Sequence, residues 1–86
     1  TTNVYNSLGI LYRRQNRHAD AVKVYQKAVK IDPRDENIHF NMGRAYLEMG
    51  QNDRARECFE RALAINPRFE TASAMLKVIG SLGRGS

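Results

Sequence analysis

The strongest constraint on this 86-residue chain is that it repeats itself. Gly9 and Gly43 stand 34 positions apart, and so do Asn3 and Asn37, Tyr12 and Tyr46, Ala21 and Ala55, Ala28 and Ala62, Ile31 and Ile65, and Pro33 and Pro67. Related residue types fill further pairs: Val4 with Ile38, Leu8 with Met42, Tyr25 with Phe59. An offset kept over so many positions marks two copies of one structural unit, residues 2–35 and 36–69. A unit this short contacts its neighbours and builds its core by stacking on them.

Each unit reads as two helices. Val4, Leu8, Leu11 and Tyr12 recur at helical spacing. That run is expected to stop at Asn16, a residue tolerant of the left-handed conformation, and the equivalent position in the second unit is Gly50. A second helix carries Ala21, Val24, Tyr25, Ala28, Val29 and Ile31. It must end near Asp32, because Pro33 restricts the residue before it and cannot extend the hydrogen-bond ladder. The second unit repeats the scheme with Ile38, Met42, Tyr46 and Leu47, then Ala55, Phe59, Ala62, Leu63 and Ile65, then Pro67. Asp35 stands where the third helix needs an N-cap. A fifth helix is expected from about Arg68 to Leu82, with Ala72, Met75, Leu76 and Ile79 on one stripe and a frayed tail over 83–86. Small residues (Gly9, Gly43, Ala21, Ala55, Ala28, Ala62) opposite large ones (Tyr12, Tyr46, Tyr25, Phe59) let the helices approach closely. The fold class expected is therefore all-α: a solenoid of stacked antiparallel helix pairs with five helices.

The pattern closely resembles the tetratricopeptide repeat, a 34-residue helix-turn-helix unit. The first copy carries Tyr5, Leu8-Gly9, Tyr12, Ala21, Tyr25, Ala28 and Pro33, and the second His39, Met42-Gly43, Tyr46, Ala55, Phe59, Ala62 and Pro67. His39 and Met42 depart mildly from the usual aromatic and leucine. Lys77 stands in the place of an expected glycine, so residues 70–82 look like a capping helix or a partial third repeat. The segment Val4-Tyr5-Asn6-Ser7-Leu8 also resembles the RNA-binding pentatricopeptide repeat. Gly9, Ala28, the strict period and the second copy all argue against that reading. The tetratricopeptide resemblance implies a right-handed solenoid and a role in protein–protein interaction.

Composition narrows the chemistry. The net charge is +5, and residues 2–35 hold seven basic and three acidic side chains, whereas 36–69 hold five of each. Such a surface attracts acidic proteins, nucleic acids or anionic membranes without choosing among them. Cys58 is the single cysteine, which excludes an internal disulfide. His18 and His39 are 21 apart with no companion ligands, so no metal site is expected. His18 is expected in a half-exposed turn at the start of the second helix, and His39 packed between helices. Cys58 reads as a small buried apolar residue, and Glu57 and Arg61 have the spacing of a helical ion pair. No catalytic constellation, cofactor motif or phosphate-cradling loop is present, so the expectation is a non-enzyme without cofactors. No apolar run approaches the roughly 20 residues of a membrane span. The start, Thr1-Thr2-Asn3, has neither an initiator Met nor a signal-peptide pattern, so an excised or processed chain of cytoplasmic origin is expected.

What remains is a binding surface. The resemblance places first helices on the concave face, which assigns Asn3, Asn6, Ile10 and Arg13 from the first helix and Asn37, Phe40, Asn41 and Arg44 from the third, with Glu48 beyond them and Thr71, Ala74 and Val78 from the fifth. Asparagines both donate and accept, arginines grip carboxylates, and an exposed Phe40 would anchor an apolar side chain. The family's dicarboxylate clamp for chaperone tails uses lysine, asparagine and arginine at positions held here by Asn6, Ile10, Asn41, Thr71 and Met75. Only Asn41 agrees, so that clamp is not expected. The partner expected is a protein or peptide, with an acidic segment as one candidate. Two alternatives stay open. One is nucleic-acid binding through the basic first repeat, weakened because Lys23, Lys27 and Lys30 fall on a second helix with no interleaved aromatics. The other is self-assembly through apolar ends, Val4, Leu8 and Leu11 at the front and Met75, Leu76 and Ile79 at the back.

Overall fold

The structure, a computed structural model, describes residues 2–84. Five helices follow one another: α1 (Thr2–Arg14), α2 (His18–Ile31), α3 (Glu36–Glu48), α4 (Asn52–Ile65) and α5 (Glu70–Arg84). No strand occurs among the described residues. The chain is an all-α solenoid. α1 packs on α2 and α3 on α4, α2 meets α3 across the repeat boundary, and α5 covers α4. The thinnest dimension, 16 Å, fits two layers of helices packed about 10 Å apart.

The boundaries follow from local chemistry. α1 is closed by Asn16 at φ 62° and α3 by Gly50 at φ 77°, the two positive-φ residues described. The hydrogen bonds around them are equivalent. Arg17 N–H donates to Tyr12 O at 2.8 Å and Asn16 N–H to Arg13 O at 3.0 Å, while Gln51 N–H donates to Tyr46 O at 2.9 Å and Gly50 N–H to Leu47 O at 3.0 Å. Both are Schellman closures, which satisfy carbonyls that the helix end leaves free. α2 stops at Ile31, ahead of Pro33. α3 starts from Asp35, whose carboxylate accepts the Asn37 N–H at 3.0 Å, as its N-cap position requires. α5 runs on through Gly80 to Arg84, beyond the end expected near Leu82; Gly85 and Ser86 lie outside the described residues.

The core is continuous across both repeats. Ala21, Tyr25, Ala28, Ile38, Ala45, Ala55, Phe59, Ala62 and Ala72 are fully enclosed. Tyr25 fills the space left by Gly9, and Phe59 fills that left by Gly43, so the same small-against-large contact is made twice, one repeat apart. The apolar ends differ from the expectation. At the front, Val4 (65%) and Leu11 (51%) are exposed and Leu8 is half-buried. At the back, Ile79 is buried and Met75 and Leu76 pack against the core; Val78 and Leu82 are the large exposed apolar side chains described on α5. The reason is that α5 turns its Ala72–Ile79 stripe onto α4 and so covers the end of the stack.

Candidate functional site

α3 is the central helix, and seven of its side chains or glycines are buried: Ile38, His39, Phe40, Met42, Gly43, Ala45 and Tyr46. Between them a polar row stays accessible: Asn37, Asn41, Arg44 and Glu48. Steps of four, three and four residues keep this row on one face. α1 presents a matching row, Asn3, Asn6, Ile10 and Arg13. The two rows are tied directly. Asn41 Nδ2 donates to Asn6 Oδ1 at 2.8 Å, and Arg13 Nη1 donates to Glu48 Oε2 at 3.1 Å. His18 Nε2 lies 3.4 Å from the other oxygen of Glu48, which brings the start of α2 into the same cluster.

These ties decide what the face can still do. Asn6 keeps its NH2 group and Asn41 its carbonyl oxygen, one donor group and one acceptor side by side, the complement of a peptide group. Arg13, 15% exposed, is held by Glu48 and is no longer a free carboxylate grip. Arg44 is exposed, with no carboxylate at ion-pair distance among the described residues, and Asn3 and Asn37 are exposed as well. Ile10 is half-buried and supplies an apolar spot beside them. On α5, Thr71, Ala74 and Val78 are exposed.

Phe40 does not belong to this face. It is 8% exposed, with its ring 5.5 Å from that of Phe59 and 5.0 Å from that of Phe69, centroid to centroid. At 3.6 residues per turn it lies about 60° round the helix from Asn37. That rotation turns it toward α4 and the start of α5, where an aromatic cluster is worth more than exposure to water. The available signal was the aromatic residue itself on a helix packed from several sides. The sequence reading also missed that Arg13 and Glu48 pair, although they share the 35-residue offset of Asn6 and Asn41.

The remaining chemistry-bearing residues serve the fold. His39, 3% exposed, makes a 2.9 Å hydrogen bond through Nε2 with Pro33 O. Cys58 is buried, and burial pushes its thiol up to about 11, which keeps the reactive thiolate scarce at neutral pH. Burial also raises the pKa of the enclosed Tyr25 phenol, opposed by the nearby Arg13. Glu57 and Arg61 do not pair among the described residues; the helical ion pairs formed are Arg17–Asp20 at 2.9 Å and Asp53–Arg56 at 2.8 Å. No group of three His, Cys, Asp or Glu suited to a metal occurs among the described residues, and no described helix is long and apolar enough to cross a membrane.

Comparison with known proteins agrees with this geometry. A family model described as TPR repeat matches residues 9–50, and one described as tetratricopeptide repeat matches residues 36–69. Human Superkiller complex protein 3 is 34% identical over 70 residues, which is 81% of this chain but 4% of that protein. Among solved structures, MamA superposes with a TM-score of 0.94 at 24% identity, covering 99% of this chain and 49% of MamA. The second TPR of Spaghetti (RPAP3), solved bound to the HSP90 peptide SRMEEVD, superposes with a TM-score of 0.91 at 17% identity, covering 96% of this chain and 78% of that one. The likeness to these structures is one of fold. The chain spans a small fraction of the length of the curated relatives it matches.

Proposed function

Because the chain belongs to the tetratricopeptide repeat family, we propose that it is a non-enzymatic protein-interaction module that holds a segment of a partner protein against the α1/α3 face. The observation that carries this reading is the polar row on an otherwise buried helix. Asn37, Asn41 and Arg44 stay accessible where every other side of α3 is packed, and the Asn6–Asn41 bond leaves one donor group and one acceptor at the surface. A fold of the same kind in Spaghetti holds the HSP90 peptide SRMEEVD, which supports a peptide as the class of ligand. The grip on it here must differ. Asn6, Ile10, Thr71 and Met75 do not match the residues that a carboxylate clamp uses at their positions, and Arg13 is engaged by Glu48. Recognition on this face is expected to rest on backbone hydrogen bonds from Asn3, Asn6, Asn37 and Asn41, one charge contact at Arg44, and apolar contact at Ile10.

Selection from a display library of random peptides tests the proposal. Selected peptides should weaken by about tenfold to a hundredfold toward an Asn37→Ala, Arg44→Ala variant, since a hydrogen bond to a charged group is worth about 1.5–3 kcal/mol. Both residues are exposed, so the fold is spared. Selected peptides indifferent to this variant would place recognition elsewhere.

A further inference from the structure

The opposite layer, formed by α2 and α4, carries its own recess. Three adjoining hollows of about 350, 570 and 330 Å³ lie along it, and Arg61 lines all three. The first two also share Gln26 and Met42, and the last two share Val29, so they form one trough. Its rims are basic. Lys23, Lys27 and Lys30 recur at i, i+4 and i+7 along α2, a stretch of about 10 Å, and Arg54 and Arg61 are spaced by seven along α4. Arg34 closes one end, and Glu57 is the one acidic residue lining it. Its floor is apolar, built from Met42, Cys58, Val29 and Ile65.

The charge distribution makes this more than a solvated face. The trough holds six of the 14 basic residues and one of the nine acidic ones, which leaves eight of each sign elsewhere. The whole net charge of +5 is thus the charge of the trough. All six cations are exposed, and none is in an ion pair among the described residues. Like charges this close repel one another and are relieved by an anionic partner, and a recess between low-dielectric walls focuses their field. The α1/α3 face carries a smaller surplus, since Arg13 is neutralised by Glu48 and Arg44 is left as its unpaired cation among the described residues.

We propose that the α2/α4 trough is a second docking site, for an acidic peptide segment that seats carboxylates on Lys23, Lys27, Lys30 and Arg61 and an aliphatic side chain on Met42. The apolar floor favours a peptide over a nucleic acid. Base stacking needs an open aromatic face, and the rings lining the trough, Tyr46 and His39, are 8% and 3% exposed, with the Arg54 guanidinium 5.8 Å from the Tyr46 ring centre.

Fluorescence anisotropy on the full chain at low salt tests this with three labelled probes of equal length: an oligoglutamate with two central leucines, an oligolysine, and oligo-dT. The first should bind saturably and weaken with added salt. A Lys23→Glu, Lys27→Glu, Arg61→Glu variant should lose about tenfold to a hundredfold in affinity, three contacts each worth a factor of about two to five. An Arg14→Glu, Arg68→Glu, Lys77→Glu variant has the same net charge with its changes outside the trough, and should stay within about threefold of the parent chain. Equal losses in the two variants would reduce the effect to net charge and overturn the proposal. So would tighter binding of oligo-dT than of the acidic peptide, or no saturation up to about 1 mM. Helical circular dichroism of both variants, expected unchanged, confirms that the comparison is between folded chains.

Discussion

Phe59→Ala is expected to lower the unfolding free energy by about 3–5 kcal/mol, the cost of removing a fully enclosed aromatic ring from a core that cannot collapse around the void. Burial and two contacts make Phe59 the keystone of the second repeat. It is fully buried, its ring meets Phe40, and it packs over Gly43. Phe40 in turn leans on Phe69, which leads into α5, so the loss reaches the covering helix. Small domains have about 5–15 kcal/mol to lose, so the variant should be near its unfolding midpoint at room temperature if the parent sits at the low end. Urea titration followed by circular dichroism measures it. A change below about 1 kcal/mol would mean that the aromatic cluster does not join the repeats as described.

Gly9→Ala should be strongly destabilising although alanine is the better helix former. A β-carbon at position 9 would be driven into the Tyr25 ring, which is fully enclosed and has nowhere to go. Overpacking of this kind costs about 1–3 kcal/mol and outweighs a helix-propensity gain of about 1 kcal/mol, because the ring cannot move aside. Gly80→Ala supplies the opposite case. Gly80 lies within α5, and nothing beyond its chain neighbours and its own helix backbone comes within 4 Å of the β-carbon it would gain, so the propensity gain should appear as about 0.5–1 kcal/mol of added stability. Opposite signs for the same substitution separate close helix approach from propensity. A stabilising Gly9→Ala would show that α1 does not sit tightly on Tyr25.

The parts of the fold that could be read from the sequence are those set by local chemistry or by the period. Asn16 and Gly50, paired by the repeat, both adopt the left-handed conformation. Asp35 caps α3, and Gly9 and Gly43 admit the rings of Tyr25 and Phe59. What escaped the sequence depends on where third parties sit. Phe40 lies only about 60° from the accessible row by register, near enough to be read as part of it, and the positions of Phe59 and Phe69 show that it faces inward. Arg13 reads as a free cation until Glu48 of the next repeat is brought to 3.1 Å. Ile79 reads as an open end until α5 folds onto α4. The trough was invisible for the same reason: Lys23, Lys27 and Lys30 are evident on one helix, but Arg54 and Arg61, which form the facing rim, come from the next repeat.

The α1/α3 face is probed at residue resolution by a map of backbone amide shifts as a peptide selected from the library is titrated into the isotope-labelled chain. The largest changes are expected on α1 and α3, at Asn3, Asn6, Ile10, Asn37, Asn41 and Arg44, with Phe40 moved less than the residues of the row. Changes confined to α2 and α4, or scattered without a focus, would contradict the assignment of the α1/α3 face as the binding surface.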